Sequence, residues 1–273
     1  MQTGHERGST DEGDQQTFEV QFIETQITSS QYNDDTDSTP TDDTLHHFRA
    51  LVNYFAHGLR YLDRPYFLVG TAMPDFLSVV DRRVRMRVRN VEPFVTEVAS
   101  HESELAAGVI QHLEDDRWFH KTRGFFEITG ELTRLFRDHV AEDDRFRASF
   151  LGHVVSELLL DRVLMENHPG ALDLYYEAWS QIDRELVEDS INRMSREQTD
   201  RLARGLRLFQ QERFLYDYAD SQRLLFRLNQ VMKRVNLPPL TESTMTVFDA
   251  GEAIIRERWR ELLPAEHFDL TNV

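Results

Sequence analysis

The chain contains no cysteine, so disulfide bonds and thiolate metal ligands are excluded. It has no apolar run near the roughly 20 residues that a membrane-spanning helix needs, and we expect no span. Its first residues are polar and acidic, unlike a secretory signal, and we expect a cytoplasmic protein. It also lacks a glycine-rich phosphate loop and a Gly-x-Ser-x-Gly elbow, which gives little support to kinase, NTPase or serine-hydrolase functions.

Basic residues are outnumbered by acidic ones: the chain has 31 Lys and Arg and 48 Asp and Glu, which gives a net charge of −17. Residues 1–44 alone carry eleven acidic residues and one arginine, a net of −10. This balance argues against a nucleic-acid partner, since phosphate binding needs a basic face. We interpret residues 1–44 as an acidic, mostly disordered tail, with a short strand or docking segment over 17–27 as the alternative.

The remainder, residues 45–273, has the apolar spacing of helices. Leu45, Phe48, Val52 and Phe55 recur at helical intervals, and a turn and an apolar run broken by Pro74 follow. Further helices are predicted near residues 102–116, 122–140, 146–166, 170–190, 196–217, 220–235 and 246–262. The sequence therefore predicts an all-α domain, a single bundle of about eight helices.

Two segments place a histidine and a carboxylate four residues apart within apolar helical patterns. His112 with Asp116, and His153 with Glu157, would each share one helix face. Buried groups of this kind need a partner or a metal, and imidazole and carboxylate ligands suit Zn, Mn or Fe. The ordinary alternative for each pair is a core histidine bonded to a backbone carbonyl, or a surface contact.

Other groups could join these pairs. His57 lies on the first apolar helix, and Asp75 follows Pro74, where it could point inward or cap the next helix. His120 could extend the face of Asp116, whereas Asp115 is expected to face solvent. A metal held by such groups would activate a water for hydrolysis, with a nearby carboxylate as the general base.

A basic strip at residues 82–89 alternates arginine with apolar residues after its first two positions. The period of two predicts an extended segment with one basic face. Its arginines would either pair with the acidic groups of the chain itself or dock a phosphate or an acidic partner. They are Arg82, Arg83, Arg85, Arg87 and Arg89.

Three motifs together resemble the acyl carrier protein phosphodiesterase family. They are Asn-Tyr-Phe-Ala-His at 53–57, Gly-Thr-Ala-Met-Pro-Asp-Phe at 70–76 and Gly-Val-Ile-Gln-His-Leu-Glu-Asp-Asp at 108–116. The resemblance covers about residues 51–166. It implies an all-helical fold related to the HD-type metal phosphohydrolases, and a divalent metal, manganese first, that cleaves the phosphopantetheine arm from acyl carrier protein.

Carried across, the resemblance implies that Asp75, His112 and Asp116 form the metal site with His57 nearby, and that Asp75 and Asp116 are catalytic. Where the family carries Asp-x-x-x-Asp-His, this chain has His153, Glu157 and Leu158, so the last histidine is lost.

The expected function is therefore metal-dependent phosphodiester hydrolysis, with an acidic carrier protein or another anionic phosphodiester docked on the basic strip. In that case all six candidate ligands should converge in one pocket. Two alternatives remain open: a non-catalytic helical interaction protein that retains the fold, and an adaptor whose acidic tail folds back on the basic strip.

Overall fold

The computed structural model describes residues 53–140 and 146–270, and all regular structure within these ranges is helical. The all-α prediction is confirmed for this part of the chain. The expected count of about eight is not, because these ranges hold eleven α-helices. They are α1 (Tyr54–Gly58), α2 (Pro65–Val80), α3 (Val88–Val91), α4 (His101–Phe119), α5 (Arg123–His139), α6 (Ala148–Asn167), α7 (Ala171–Ser180), α8 (Arg184–Met194), α9 (Leu202–Glu212), α10 (Ser221–Arg234) and α11 (Met245–Leu262).

Short 3₁₀ segments join some of these helices, at Leu59–Tyr61, Glu92–Phe94, Phe214–Ala219 and Glu242–Thr244. None of the helices in residues 53–140 and 146–270 combines the length and apolar character that crossing a bilayer requires. The predicted tail over 1–44, the segment at 17–27 and the helix start at Leu45 lie outside the described residues.

Side-chain caps set the start of several helices. Ser100, Thr122, Asp183 and Asp220 each accept a hydrogen bond from the backbone N–H three residues on, which satisfies an otherwise unpaired donor. The cap at Asp183 begins a new helix, so the single helix predicted over 170–190 is in fact α7 followed by α8. Its apolar periodicity is continuous, and the break comes from local cap chemistry.

The prediction that Pro74 breaks the apolar run is wrong, because helix α2 runs through Pro74 to Val80. A proline inside a helix costs about 3 kcal/mol. Twelve of the sixteen α2 residues are buried, and each large apolar side chain among them gains about 1.5–3 kcal/mol. Burial therefore outweighs the proline penalty, and Asp75 lies within the helix rather than at a turn or a cap.

The buried side chains form one continuous core. Helix α2 packs against α4, while α5, α6 and α11 pack against one another. The short helix α1 contacts both α2 and α6 and so lies between these two groups. His57 on α1 is thereby placed beside residues of α2 and α4.

Two glycines allow α2 and α4 to approach closely. A Cβ added to Gly70 would lie 2.3 Å from the Leu105 carbonyl oxygen, and one added to Gly108 would lie 2.0 Å from that of Phe67. No side chain larger than hydrogen fits at either place. The contact lies about one helical turn before both Asp75 and His112, and it fixes the spacing of the two helices there.

Candidate metal centre

His112 is held in one orientation by the backbone of α2. Its side chain is 1% exposed, and its Nδ1 lies 2.7 Å from the Thr71 carbonyl oxygen. Because a carbonyl only accepts, Nδ1 carries the hydrogen and donates it. In the neutral ring, Nε2 is then an unprotonated nitrogen, which lies 3.8 Å from Asp75 Oδ1 and 3.7 Å from Asp116 Oδ2. Metal-binding histidines are oriented in this way.

His57 is placed from α1, whose first turn is anchored by a residue of α6. Asp161 accepts the backbone N–H groups of Phe55 at 3.0 Å and Ala56 at 2.8 Å, which satisfies two donors at the helix start. The His57 ring lies 4.2 Å from that of His112, centroid to centroid. Its Nε2 is 3.7 Å from Asp116 Oδ1 and is buried with no hydrogen-bond partner among the described residues.

These separations fit a shared cation. Ligand nitrogen and carboxylate atoms of His57, His112 and Asp116 all lie within 4.8 Å of one another. Distances of 3.7–3.8 Å are too long for hydrogen bonds. They are close to the separation of about 3.4 Å expected between two ligand atoms that each bind a tetrahedral metal ion at ~2.1 Å. These buried groups could therefore hold a metal ion, with Asp75 as a fourth neighbour.

Asp115 is buried, so the expectation that it faces solvent is wrong. Its carboxylate accepts Arg60 Nη2 at 2.9 Å, Gln111 Nε2 at 2.9 Å and Trp118 Nε1 at 3.2 Å. It also lies 3.6 Å from His57 Nδ1, an ion-pair distance. Asp115 thus orients His57 from the side opposite Nε2. The sequence indicates this role of Asp115 only weakly, through Gln111 and Trp118, which lie four and three residues from Asp115 on α4.

The electrostatics follow from burial and crowding. Burial alone would lower the pKa of His57, but the carboxylates of Asp115 and Asp116 raise it to about 9. Burial and the neighbouring His57 lower the pKa of His112. Burial raises the pKa of Asp75. In the metal-free chain, positive charge is therefore concentrated on His57, where it offsets the surrounding carboxylates.

The second predicted pair lies in a separate cluster. His153 and Glu157 meet His120, which sequence reasoning treated only as an extension of the Asp116 face. His120 Nε2 and His153 Nε2 lie 3.2 Å and 3.1 Å from the same oxygen, Glu157 Oε1. Their ligand atoms form a second group within 4.8 Å. Of the six candidate residues, the structure groups His57, Asp75, His112 and Asp116 together, and places His153 and Glu157 with His120.

The basic strip follows α2. The prediction of an extended segment over 82–89 is wrong at both ends, because Arg82 and Arg83 form a turn and Arg89 belongs to α3, which leaves residues 84–87 between them. Val84 and Met86 are buried while Arg85 and Arg87 are exposed, as the period of two predicts. In the described ranges, Arg83 is the one arginine of the five with an ion pair, to Asp81 at 2.6 Å.

No protein-family model, no curated protein and no solved structure matches this chain.

Proposed function

We propose that this chain is a metal-dependent phosphodiester hydrolase, a distant HD-like relative of the acyl carrier protein phosphodiesterases that its motifs resemble. The observation that carries the proposal is the buried, unpartnered Nε2 of His57, which faces Asp116 beside the oriented Nε2 of His112. An unsatisfied buried nitrogen costs about 1–3 kcal/mol, and a bound cation would remove that cost.

Each residue of the cluster has a role in this proposal. His57, His112 and Asp116 would hold a divalent cation, manganese first, with iron and zinc as alternatives for such a nitrogen and oxygen set. The cation would polarise a phosphoryl oxygen and lower the pKa of a water. Asp75, whose side chain is 16% exposed, is the most accessible of the four and would take the proton from the attacking water.

The basic strip supplies a site for an anionic substrate in the same proposal. Helix α2 ends at Val80, about 8 Å along its axis from Asp75 because five helical steps of 1.5 Å lie between them, and the strip begins two residues later. Arg85 and Arg87 are exposed, and the structure gives them no ion pair among the described residues. They are therefore available to a phosphodiester or to an acidic carrier protein.

One observation favours a second candidate, a non-catalytic interaction protein. Leu158, where the related family carries a histidine, is 2% exposed and belongs to the core. A ligand position of the family is thus lost to packing. In this case the two clusters would be polar networks without a metal.

The test combines metal content with hydrolysis. The purified chain is stripped of metal, reloaded separately with Mn²⁺, Fe²⁺ or Zn²⁺, and assayed on bis(p-nitrophenyl) phosphate and on holo acyl carrier protein. We expect bound metal and turnover in the native chain, and loss of both in a His112→Ala, Asp116→Asn variant.

His139→Ala is the matched control, because His139 lies near Ser243 and Thr244 and belongs to neither cluster. It should retain metal and turnover. A native chain that binds none of the three metals would refute the hydrolase and favour the interaction protein. Metal binding without turnover on either substrate would leave the metal site standing but contradict phosphodiester hydrolysis.

A further inference from the structure

The cluster of His120, His153 and Glu157 differs from the first in its access to solvent. The His153 side chain is 37% exposed and that of His120 is 23%, whereas Glu157 is 6% exposed. The two imidazole rings are 5.3 Å apart at 28°, and Phe125 meets both of them edge-on. The rings are therefore fixed from one side by packing and remain open on another.

The hydrogen bonding of His120 restricts what can lie between it and Glu157. Its Nδ1 is 3.0 Å from the Asp116 carbonyl oxygen, which only accepts, so Nδ1 is the donor. In the neutral ring, Nε2 is then an acceptor that faces a carboxylate oxygen at 3.2 Å. Two acceptors at that distance repel, so either a proton, carried by the ring or by Glu157, or a metal cation lies between them.

The position of His153 favours the metal cation over the proton, because one cation can bind both imidazoles and the carboxylate. The Nε2 atom of His153 converges on the same Glu157 oxygen, so three ligand atoms, two from α6 and one from the end of α4, surround one point. His120 is oriented by a main-chain carbonyl just as His112 is, with Nε2 presented inward in both. Two imidazoles and one carboxylate, with an open side, is a ligand set typical of hydrolytic zinc and related metals.

We propose that His120, His153 and Glu157 bind a second divalent transition-metal cation, adjacent to the first cluster and open to solvent. Asp116 links the two sites, because its side chain belongs to the first and its carbonyl orients His120. The open side would accept an anionic oxygen of the substrate. That use of the site rests on the proposed hydrolase, whereas the binding of the cation does not.

The test uses Zn²⁺ as the probe and counts ions per chain. Metal-free protein is titrated with Zn²⁺ by calorimetry and analysed for metal after dialysis, and Co²⁺ absorption reports imidazole coordination. We expect two ions in the native chain, one in a His153→Gln, Glu157→Gln variant and one in a His57→Gln, His112→Gln variant. His139→Ala should retain two.

The outcomes separate the two proposals. One ion in the native chain that survives His153→Gln, Glu157→Gln overturns the second site and leaves the first standing. One ion lost only in that variant overturns the first centre and supports the second. His120→Gln, which leaves the buried Glu157 in place, must also lose one ion, with circular dichroism showing an intact fold. Retention of both ions in His120→Gln would overturn the second site as described.

Discussion

Gly108 of α4 lies against Gly70 of α2 so closely that a Cβ on Gly108 would be 3.0 Å from the Cα of Gly70. The same approach brings the Thr71 carbonyl within 2.7 Å of His112 Nδ1, four residues further along α4. Both contacts lie further along α4 as they lie further along α2, so the two helices run in the same direction here. The pair of glycines therefore sets the distance at which the candidate metal ligands meet.

Gly108→Ala should destabilise the protein and weaken its metal site together. The new methyl group would lie 2.0 Å from the Phe67 carbonyl oxygen, so the helices must separate. Overpacking of this kind costs about 1–3 kcal/mol. Urea unfolding should show the loss in the free energy of unfolding, and Zn²⁺ titration should show weaker binding as Thr71 moves away from His112.

Gly130→Ala is the matched control, since nothing lies within 4 Å of the Cβ that it would add in the middle of α5. Alanine in a helix interior is better than glycine by about 1 kcal/mol, so this variant should be equally or more stable. Equal loss of stability in the two variants would contradict the close-approach explanation.

Asp115→Asn should weaken metal binding although Asp115 is not a proposed ligand. The amide keeps the shape but removes the charge that faces Arg60 and His57 Nδ1. Loss of an orienting partner typically reduces metal affinity 10–100-fold. Breaking the buried pair with Arg60 should also lower the free energy of unfolding by about 3 kcal/mol. Competition with a chelating dye would measure the affinity.

Glu104→Gln provides the comparison for Asp115→Asn. Glu104 lies on α4, as Asp115 does, and pairs with Arg64, but both side chains of this pair are about two-fifths exposed. An exposed pair of this kind contributes about 0–1 kcal/mol. Unchanged Zn²⁺ affinity is expected, and a loss as large as that of Asp115→Asn would mean that the effect is general electrostatics.

Removal of metal should lower the melting temperature of the native chain. A ligand present at about 100 times its dissociation constant stabilises the folded state by ~2.7 kcal/mol. Differential scanning calorimetry with excess Zn²⁺, with EDTA and with EDTA followed by Zn²⁺ would measure a drop and its recovery. A His112→Ala, Asp116→Asn, His153→Gln, Glu157→Gln variant should melt at one temperature in all three conditions.

Asp81→Asn should destabilise the protein in a pH-dependent way. Hydrogen bonds from Arg83 hold the pKa of Asp81 below its ordinary value of 3.8. A depressed carboxyl pKa adds stability above the unfolded-state value, and that stability is lost as pH falls through the folded-state value. Urea unfolding should therefore separate Asp81→Asn from the native chain at pH 7, with a smaller gap at pH 3. An equal gap at both values would assign the effect to packing.

Helical periodicity was sufficient to predict the long helices. The patterns near 102–116, 122–140 and 246–262 correspond to α4, α5 and α11, because each buries a face of period 3.6 against the core. Helical periodicity did not predict the helix ends that are decided by a capping side chain or by burial of the whole helix. Asp183 starts a new helix within a continuous pattern, and burial of α2 carries that helix through Pro74.

Residue spacing predicted the site only within single helices, whereas the grouping of Asp75, His112 and Asp116 with His57 came from the resemblance. Four-residue spacing identified His112 with Asp116 and His153 with Glu157, but it holds no information about which pairs meet across helices. The clusters instead depend on the α2–α4 glycine contact and on the position of His120 at the end of α4. The role of Asp161 was missed for the same reason, since its partners are backbone groups of α1.

His112 and His120 are both oriented by peptide carbonyls, those of Thr71 and Asp116. Every residue type carries such a group, so substitution of the Thr71 side chain would leave the orienting oxygen in place. Chains that diverge at these positions could keep the same imidazole geometry while sharing few letters. A search for imidazole Nδ1 atoms about 3 Å from a main-chain oxygen, with Nε2 facing a carboxylate, would therefore recognise relatives that sequence comparison passes over.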